Sequence, residues 1–149
     1  MPDLVEIAEK LTRIKPGTLL FRVLSRPDVQ AFIINLNTED QLKTRNEDAL
    51  GVKLADNDPF GGYSVQTQFI KNTGKRQVTL FDTGDYYESF AVIPLRNFSF
   101  NIESNTTIHG DDLKDRWGDN IEGLNNENLV KVNEFLEEKI IEEIERLLQ

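Results

Sequence analysis

Asp82-Thr83-Gly84 is the tripeptide with the most chemical content in this sequence. A turn of this kind can present its carboxylate to that of a second copy, so that two carboxylates share one proton and activate water for peptide hydrolysis. With one such turn in 149 residues, the chain would have to dimerise to do so. No later apolar-apolar-Gly segment is present to support the turn, and helical patterns at both ends do not suit a small all-β hydrolase. The preferred reading is structural. Asp82 and Thr83 offer side-chain oxygens as helix caps, and Gly84 tolerates backbone angles closed to other residues.

Other reactive groups are sparse. His109 is the single histidine; Asp111 and Asp112 follow it, a weak ligand pattern read as a surface loop. Ser64 and Ser89 lie outside any Gly-x-Ser-x-Gly motif, and Gly61-Gly62 is not followed by Gly-Lys-Ser/Thr. Without cysteine there is no disulfide, thiolate site or cysteine nucleophile. We expect no catalytic residue, no metal and no cofactor.

The elements that hold the Asp-Thr-Gly turn span residues 79–104. The pattern predicts a strand ending at Phe81, the turn, a short helix over residues 85–90, and two alternating strands through Phe90, Val92, Phe98, Phe100 and Ile102. Arg96-Asn97 reads as the hairpin tip, with Pro94 at an edge or bulge. Tyr86 and Tyr87, about 100° apart on a helix, would send one ring into the core and one towards a neighbour. Trp117 is either a core plug or an interface anchor. Tyr86, Tyr87, Phe98, Phe100 and Trp117 are the candidate subunit-interface residues.

Residues 1–45 read as helices. Asp3 caps the first, whose stripe is Leu4, Ile7, Ala8, Leu11 and Ile14, and Lys15-Pro16-Gly17 stops it. Residues 18–24 favour helix, and Pro27 opens another with Val29, Phe32, Ile33 and Leu36 inward. That helix frays near Asn37 or restarts with Thr38 as cap. Residues 44–62 are polar and read as a long loop with a brief extended piece around Leu54, and residues 46–62 divide the helical region from the rest. Residues 63–70 suggest a short helix capped by Ser64, and residues 111–118 one or two turns ended by Gly118. The last helix begins from Leu124 with Asn125 or Asn126 as cap, carries Leu129, Val132, Leu136, Ile140, Ile144 and Leu147 at helical spacing with Phe135, Ile141 and Leu148 widening the stripe, and crowds its outer face with Glu137, Glu138, Glu142, Glu143 and Glu145. The fold class is therefore α+β: N-terminal helices, a small antiparallel sheet with a β-hairpin, and a long C-terminal helix, in a single domain over residues 1–149.

Hydrophobic residues make up 38% of the chain and charged residues 29%, with a net charge of -9. That balance argues against sequence-independent nucleic-acid binding, which needs Lys and Arg on phosphates. No apolar run approaches a membrane span, and the N-terminus lacks a signal-peptide pattern.

The order of short motifs resembles a family. Tyr63-Ser64 with Thr67 and Lys71, Leu80-x-Asp82-Thr83-Gly84 with Ser89, a hairpin, Trp117-Gly118, and Gly123-Leu124 entering a terminal helix are similar to the virion-morphogenesis, tail-completion and head–tail joining proteins of tailed bacteriophages. The resemblance spans residues 63–149, the tail-completion-like core. It implies a non-catalytic virion protein of the neck or tail. Copies would form a homo-oligomeric ring, contact portal, adaptor or tail proteins, and pass phage DNA without reading its sequence. The chain would reside in the virion, and in host cytoplasm during assembly. An acidic channel wall suits sliding DNA, and residues 44–62 and 90–104 are the expected extensions towards neighbours. The alternatives are a dimeric aspartic protease acting through Asp82, and an acidic adaptor that binds one partner through its last helix.

Overall fold

Prolines and short polar caps divide the N-terminal third into helices, as the spacing predicts. The computed structural model describes residues 3–96, 98–108 and 110–149. Helix α1 (Leu4–Arg13) starts at Asp3, whose carboxylate accepts from the Glu6 N–H at 2.8 Å. Pro16 and Pro27 stand at the first turns of α2 (Pro16–Leu24) and α3 (Pro27–Asn35). Their fixed φ and missing N–H cost nothing there. The apolar stripe of α1 contributes no fully buried residue, whereas Val23, Leu24, Val29 and Ile33 of α2 and α3 are buried.

The expected restart at Thr38 does not occur. The chain continues from α3 as a π-helix (Leu36–Arg45), and Thr38 Oγ1 donates back to the Ile34 carbonyl at 2.9 Å. Nor is 44–62 a loop reaching outward. Asn46 ends the π-helix in the left-handed region at φ 56. Asp48 accepts from the Leu50 and Val52 N–H groups at 2.9 and 3.0 Å, and a 3-10 turn (Leu54–Asn57) buries Leu54 and Ala55. The Ala49 N–H donates to Asn120 O at 2.8 Å and Asn57 Nδ2 to Trp117 O at 3.1 Å, so this stretch packs on its own chain.

Helix α4 (Val65–Lys71) is capped by Ser64, as expected. The strand expected before the Asp-Thr-Gly turn is absent. Tyr63 Oη accepts from the Thr79 and Leu80 N–H groups, both at 3.1 Å, which draws those donors away from any ladder, and Leu80 takes φ 57. A short α5 (Asp85–Glu88) leads into the hairpin β1 (Ala91–Pro94) and β2 (Phe100–Glu103), paired antiparallel from Ala91↔Glu103 to Pro94↔Phe100. The Leu95 N–H donates to Ser99 O at 2.9 Å across the tip. Asn97 lies outside the described residues. A two-residue hairpin, β3 (Thr107–Ile108) with β4 (Asp111–Asp112), precedes α6 (Leu113–Trp117). Helix α7 (Asn126–Leu148) starts at Asn125, whose side chain accepts from the Asn128 N–H at 2.9 Å. Among the described residues this is an α+β fold with a long C-terminal helix, and no helix is long and apolar enough to cross a membrane.

Two apolar clusters make the core. One gathers Leu42, Leu54, Tyr63, Leu80, Tyr86, Tyr87, Phe90, Trp117 and Ile121; the other packs α2, α3, β1 and α7 through Val23, Ile33, Val92, Val132 and Leu136. Between the π-helix and α7 runs a buried amide network. Asn37 donates to Ile121 O at 3.0 Å and accepts from the Gly123 N–H at 2.7 Å. Gln41 donates to Gly123 O and accepts from the Asn125 N–H, both at 2.8 Å. Buried amides are tolerated because each finds a backbone partner that would otherwise be unpaired.

Candidate functional site

The turn at residues 82–84 is structural in a different way from the one expected. Gly84, at φ 94, is itself the N-cap of α5, with no side-chain cap bond; Thr83 Oγ1 accepts from the Asp85 N–H at 3.3 Å. Asp82 is exposed and too far upstream to reach the helix donors. A carboxylate two residues before the cap does not serve the first-turn N–H groups, which the cap residue itself serves best.

Tyr86 and Tyr87 do not divide between core and surface. Both are buried, at 5% and 8% exposure, and Trp117 is buried at 3%. The α5 helix is only one turn long and sits in the core wall, so both of its rings find apolar neighbours. Tyr86 packs edge-on to Phe90 at 5.0 Å and Tyr87 to Phe81 at 5.2 Å. Tyr86 Oη accepts from Ser104 Oγ at 3.1 Å, and Tyr87 Oη donates to Thr79 O at 2.5 Å. Burial pushes both phenols well above their ordinary range, so they stay neutral. Trp117 meets Tyr63 edge-on at 5.7 Å and carries the Arg116 guanidinium over its ring at 4.3 Å.

Arg116 reaches the buried Asp58, its Nη2 3.2 Å and Nε 3.3 Å away, and also donates to Gly62 O at 3.0 Å. Burial alone would raise the Asp58 carboxyl. The bonds from Arg116 and the Gly62 N–H, with the positive charge of Arg116, outweigh it and hold the group below the usual carboxylate range. This pair fixes residues 58–62 to α6, and through Tyr63 it sets where α4 begins.

Two grooves follow. Asp82, Thr83 and Tyr86 line one of about 600 Å³ together with Lys71, Arg116 and Trp117. Phe98 and Phe100 line another of about 1050 Å³, whose far wall is α7. The structure thus separates the five candidate interface residues. Phe98 is exposed at the hairpin tip, at φ 63, with its ring beside Gly17, and Phe100 is half-buried on the second cluster. The other three are buried in the first cluster, where Tyr86 and Trp117 reach only the wall of the smaller groove. His109 lies outside the described residues. Among the described residues no group of three His, Cys, Asp or Glu side chains is placed to hold a metal.

The charge of α7 also departs from expectation. Glu143 is buried rather than solvated, between Arg146 and Arg22, the latter 3.8 Å away. The Arg146 bond is the main reason its carboxyl sits below the ordinary range, against the opposing effect of burial. Glu134, Glu137, Glu138 and Glu145 form no ion pair among the described residues.

The surface that sequence reasoning missed is α4. Val65, Phe69 and Ile70 are 82%, 89% and 72% exposed. Spacing gave no signal for it: Val65 and Phe69, four residues apart with Ile70 adjacent, read equally well as a stripe turned to the core. Comparison with protein-family models, with curated proteins and with solved structures yields no match for this chain.

Proposed function

We propose that this chain is a structural bacteriophage virion protein of the head–tail connector or tail-completion class, acting as a homo-oligomeric ring around the DNA channel. The observation that carries the reading is the uncovered apolar face of α4. Three large apolar side chains projecting from one short helix, with the exposed Phe60 just upstream, suit a subunit buried against neighbours in an assembly. The motif order from Tyr63 to the terminal helix supports the same class, and the net charge of -9 suits a wall past which DNA slides. No catalytic group is required.

Mass spectrometry of purified, salt-washed virions tests this directly. The chain is expected in particles at a multiple-copy stoichiometry, and electron microscopy of the chain mixed with the portal protein of the same phage is expected to show a stacked ring. Its absence from particles would overturn the proposal.

A further inference from the structure

We propose that two exposed apolar surfaces of this chain are the two halves of one head-to-tail contact: α4 of one copy seats in the groove between β2 and α7 of the next. This rests on the ring reading and names the contact that would build the ring.

Both surfaces are apolar, and they differ in charge: the groove carries Glu103 and Glu137, unpaired among the described residues, beside the Lys114–Glu122 pair, whereas α4 is flanked by cations on one side and by Asp82 and Asp85, which share a groove with Ile70, on the other. Around α4, residues 59–81 carry Lys71, Lys75 and Arg76 and no carboxylate, within a chain of net charge -9. Lys71 donates to the Phe81 carbonyl, Lys75 has no carboxylate partner among the described residues, and Arg76 holds the exposed Asp56. Phe60 and Val65 share a groove beside Lys75, which extends the apolar surface of the helix.

The receiving groove is floored by Leu24, Phe100, Ile102, Leu136 and Ile140. Glu103 and Glu137 stand on its lining, and neither pairs with a cation among the described residues. Ile141 of α7, 52% exposed, also lines it, and Val130, 56% exposed, lies beside it on the same helix, which carries Glu134 and Glu138. Unpaired carboxylates among exposed apolar groups suit a basic, apolar partner, and such complementarity also rejects the wrong face.

The sheet edge gives a further reason for cover. The Leu95–Ser99 bond sets the ladder so that Asn101 and Glu103 bond to β1, while the N–H and C=O of Phe100 and Ile102 point away from it. On the other side, the β1 edge is already occupied by Gln30, which donates to Val92 O at 3.4 Å, and by Pro94, which has no N–H. Among the described residues the β2 edge has no such guard, and a helix laid against an edge blocks it.

The two surfaces share no lining residue, so the contact pairs unlike faces. Unlike-face contacts propagate, and close into rings when the rotation permits.

The test uses the full chain in sedimentation velocity, up to millimolar concentration and at low and high salt. Wild type self-associates, and salt weakens it. Phe69→Asp removes one half and Ile141→Lys the other; each alone loses about tenfold or more in association. Circular dichroism melts confirm that both variants are folded. Mixed together, they form a heterodimer that grows no further, because each keeps the half that the other lacks. Wild type that stays monomeric to millimolar concentration, either variant associating like wild type, or a mixture without heterodimer overturns the contact. A portal-bound ring that survives both substitutions overturns this contact and leaves the ring standing. Absence of the chain from virions overturns the ring and leaves a measured heterodimer intact.

Discussion

Gly62→Ala tests whether residues 58–62 are locked as the geometry requires. Gly62 has φ +131, and a Cβ there would lie 2.1 Å from the Lys75 carbonyl oxygen and 2.9 Å from its carbon. Both are backbone atoms, so no side chain can swing aside. An L-residue in this region costs about 1–2 kcal/mol. Displacing Lys75 O weakens the 2.8 Å bond from the Tyr63 N–H, worth about 1 kcal/mol. The Gly62 N–H also donates to Asp58 at 3.0 Å, a charge-assisted bond worth about 1.5–3 kcal/mol that the same shift disturbs. The expected loss is therefore roughly 3–5 kcal/mol, or about 10–15 °C in melting temperature for a chain of this length. Gly51→Ala is the control: it has φ +78 with nothing within 4 Å of the added Cβ, so only the backbone term of about 1 kcal/mol applies. Urea unfolding followed by fluorescence of Trp117, the single tryptophan, reads both variants next to the packing they disturb. Equal losses in the two variants, or a Gly62→Ala loss within about 1 kcal/mol of wild type, would refute the reasoning.

Asp82→Asn is expected to shift stability by no more than about 0.5 kcal/mol, because the carboxylate is exposed and does not cap α5. Under the proposed virion role, assembly with a portal is expected to be unchanged, whereas a peptide-cleaving activity that this variant abolishes would revive the protease alternative. Asp58 titrates in the folded chain below its unfolded value of about 4, so its stabilisation is present above that pH and is lost as pH falls through the folded value. The stability gap between wild type and Asp58→Asn, from urea midpoints, should be constant near neutrality and shrink in acid; a gap that widens in acid contradicts the Asp58–Arg116 assignment.

Much of the helical skeleton is decided locally, and so it could be read from the residues alone. Asp3, Ser64 and Asn125 cap the helices they precede, because a short side-chain oxygen satisfies first-turn donors whatever lies elsewhere in the fold. Pro16 and Pro27 mark helix starts for the same local reason. The alternation around Val92 and Ile102 announced the hairpin, since one face of a strand must be covered. Non-local bonds decided the remainder. Val78 to Phe81 has the composition of a strand, yet Tyr63 takes the donors of Thr79 and Leu80 from across the fold. Residues 44–62 look like an outreaching loop, but Ala49, Asn57 and Asp58 anchor them to residues 116–120. No periodicity encodes which of Tyr86 and Tyr87 faces outward, and the depth of the pocket around α5 took both. Exposure of α4 was likewise undetermined by spacing: an apolar side chain is inside or outside according to what the rest of the chain leaves to cover it, and here nothing in the described chain does.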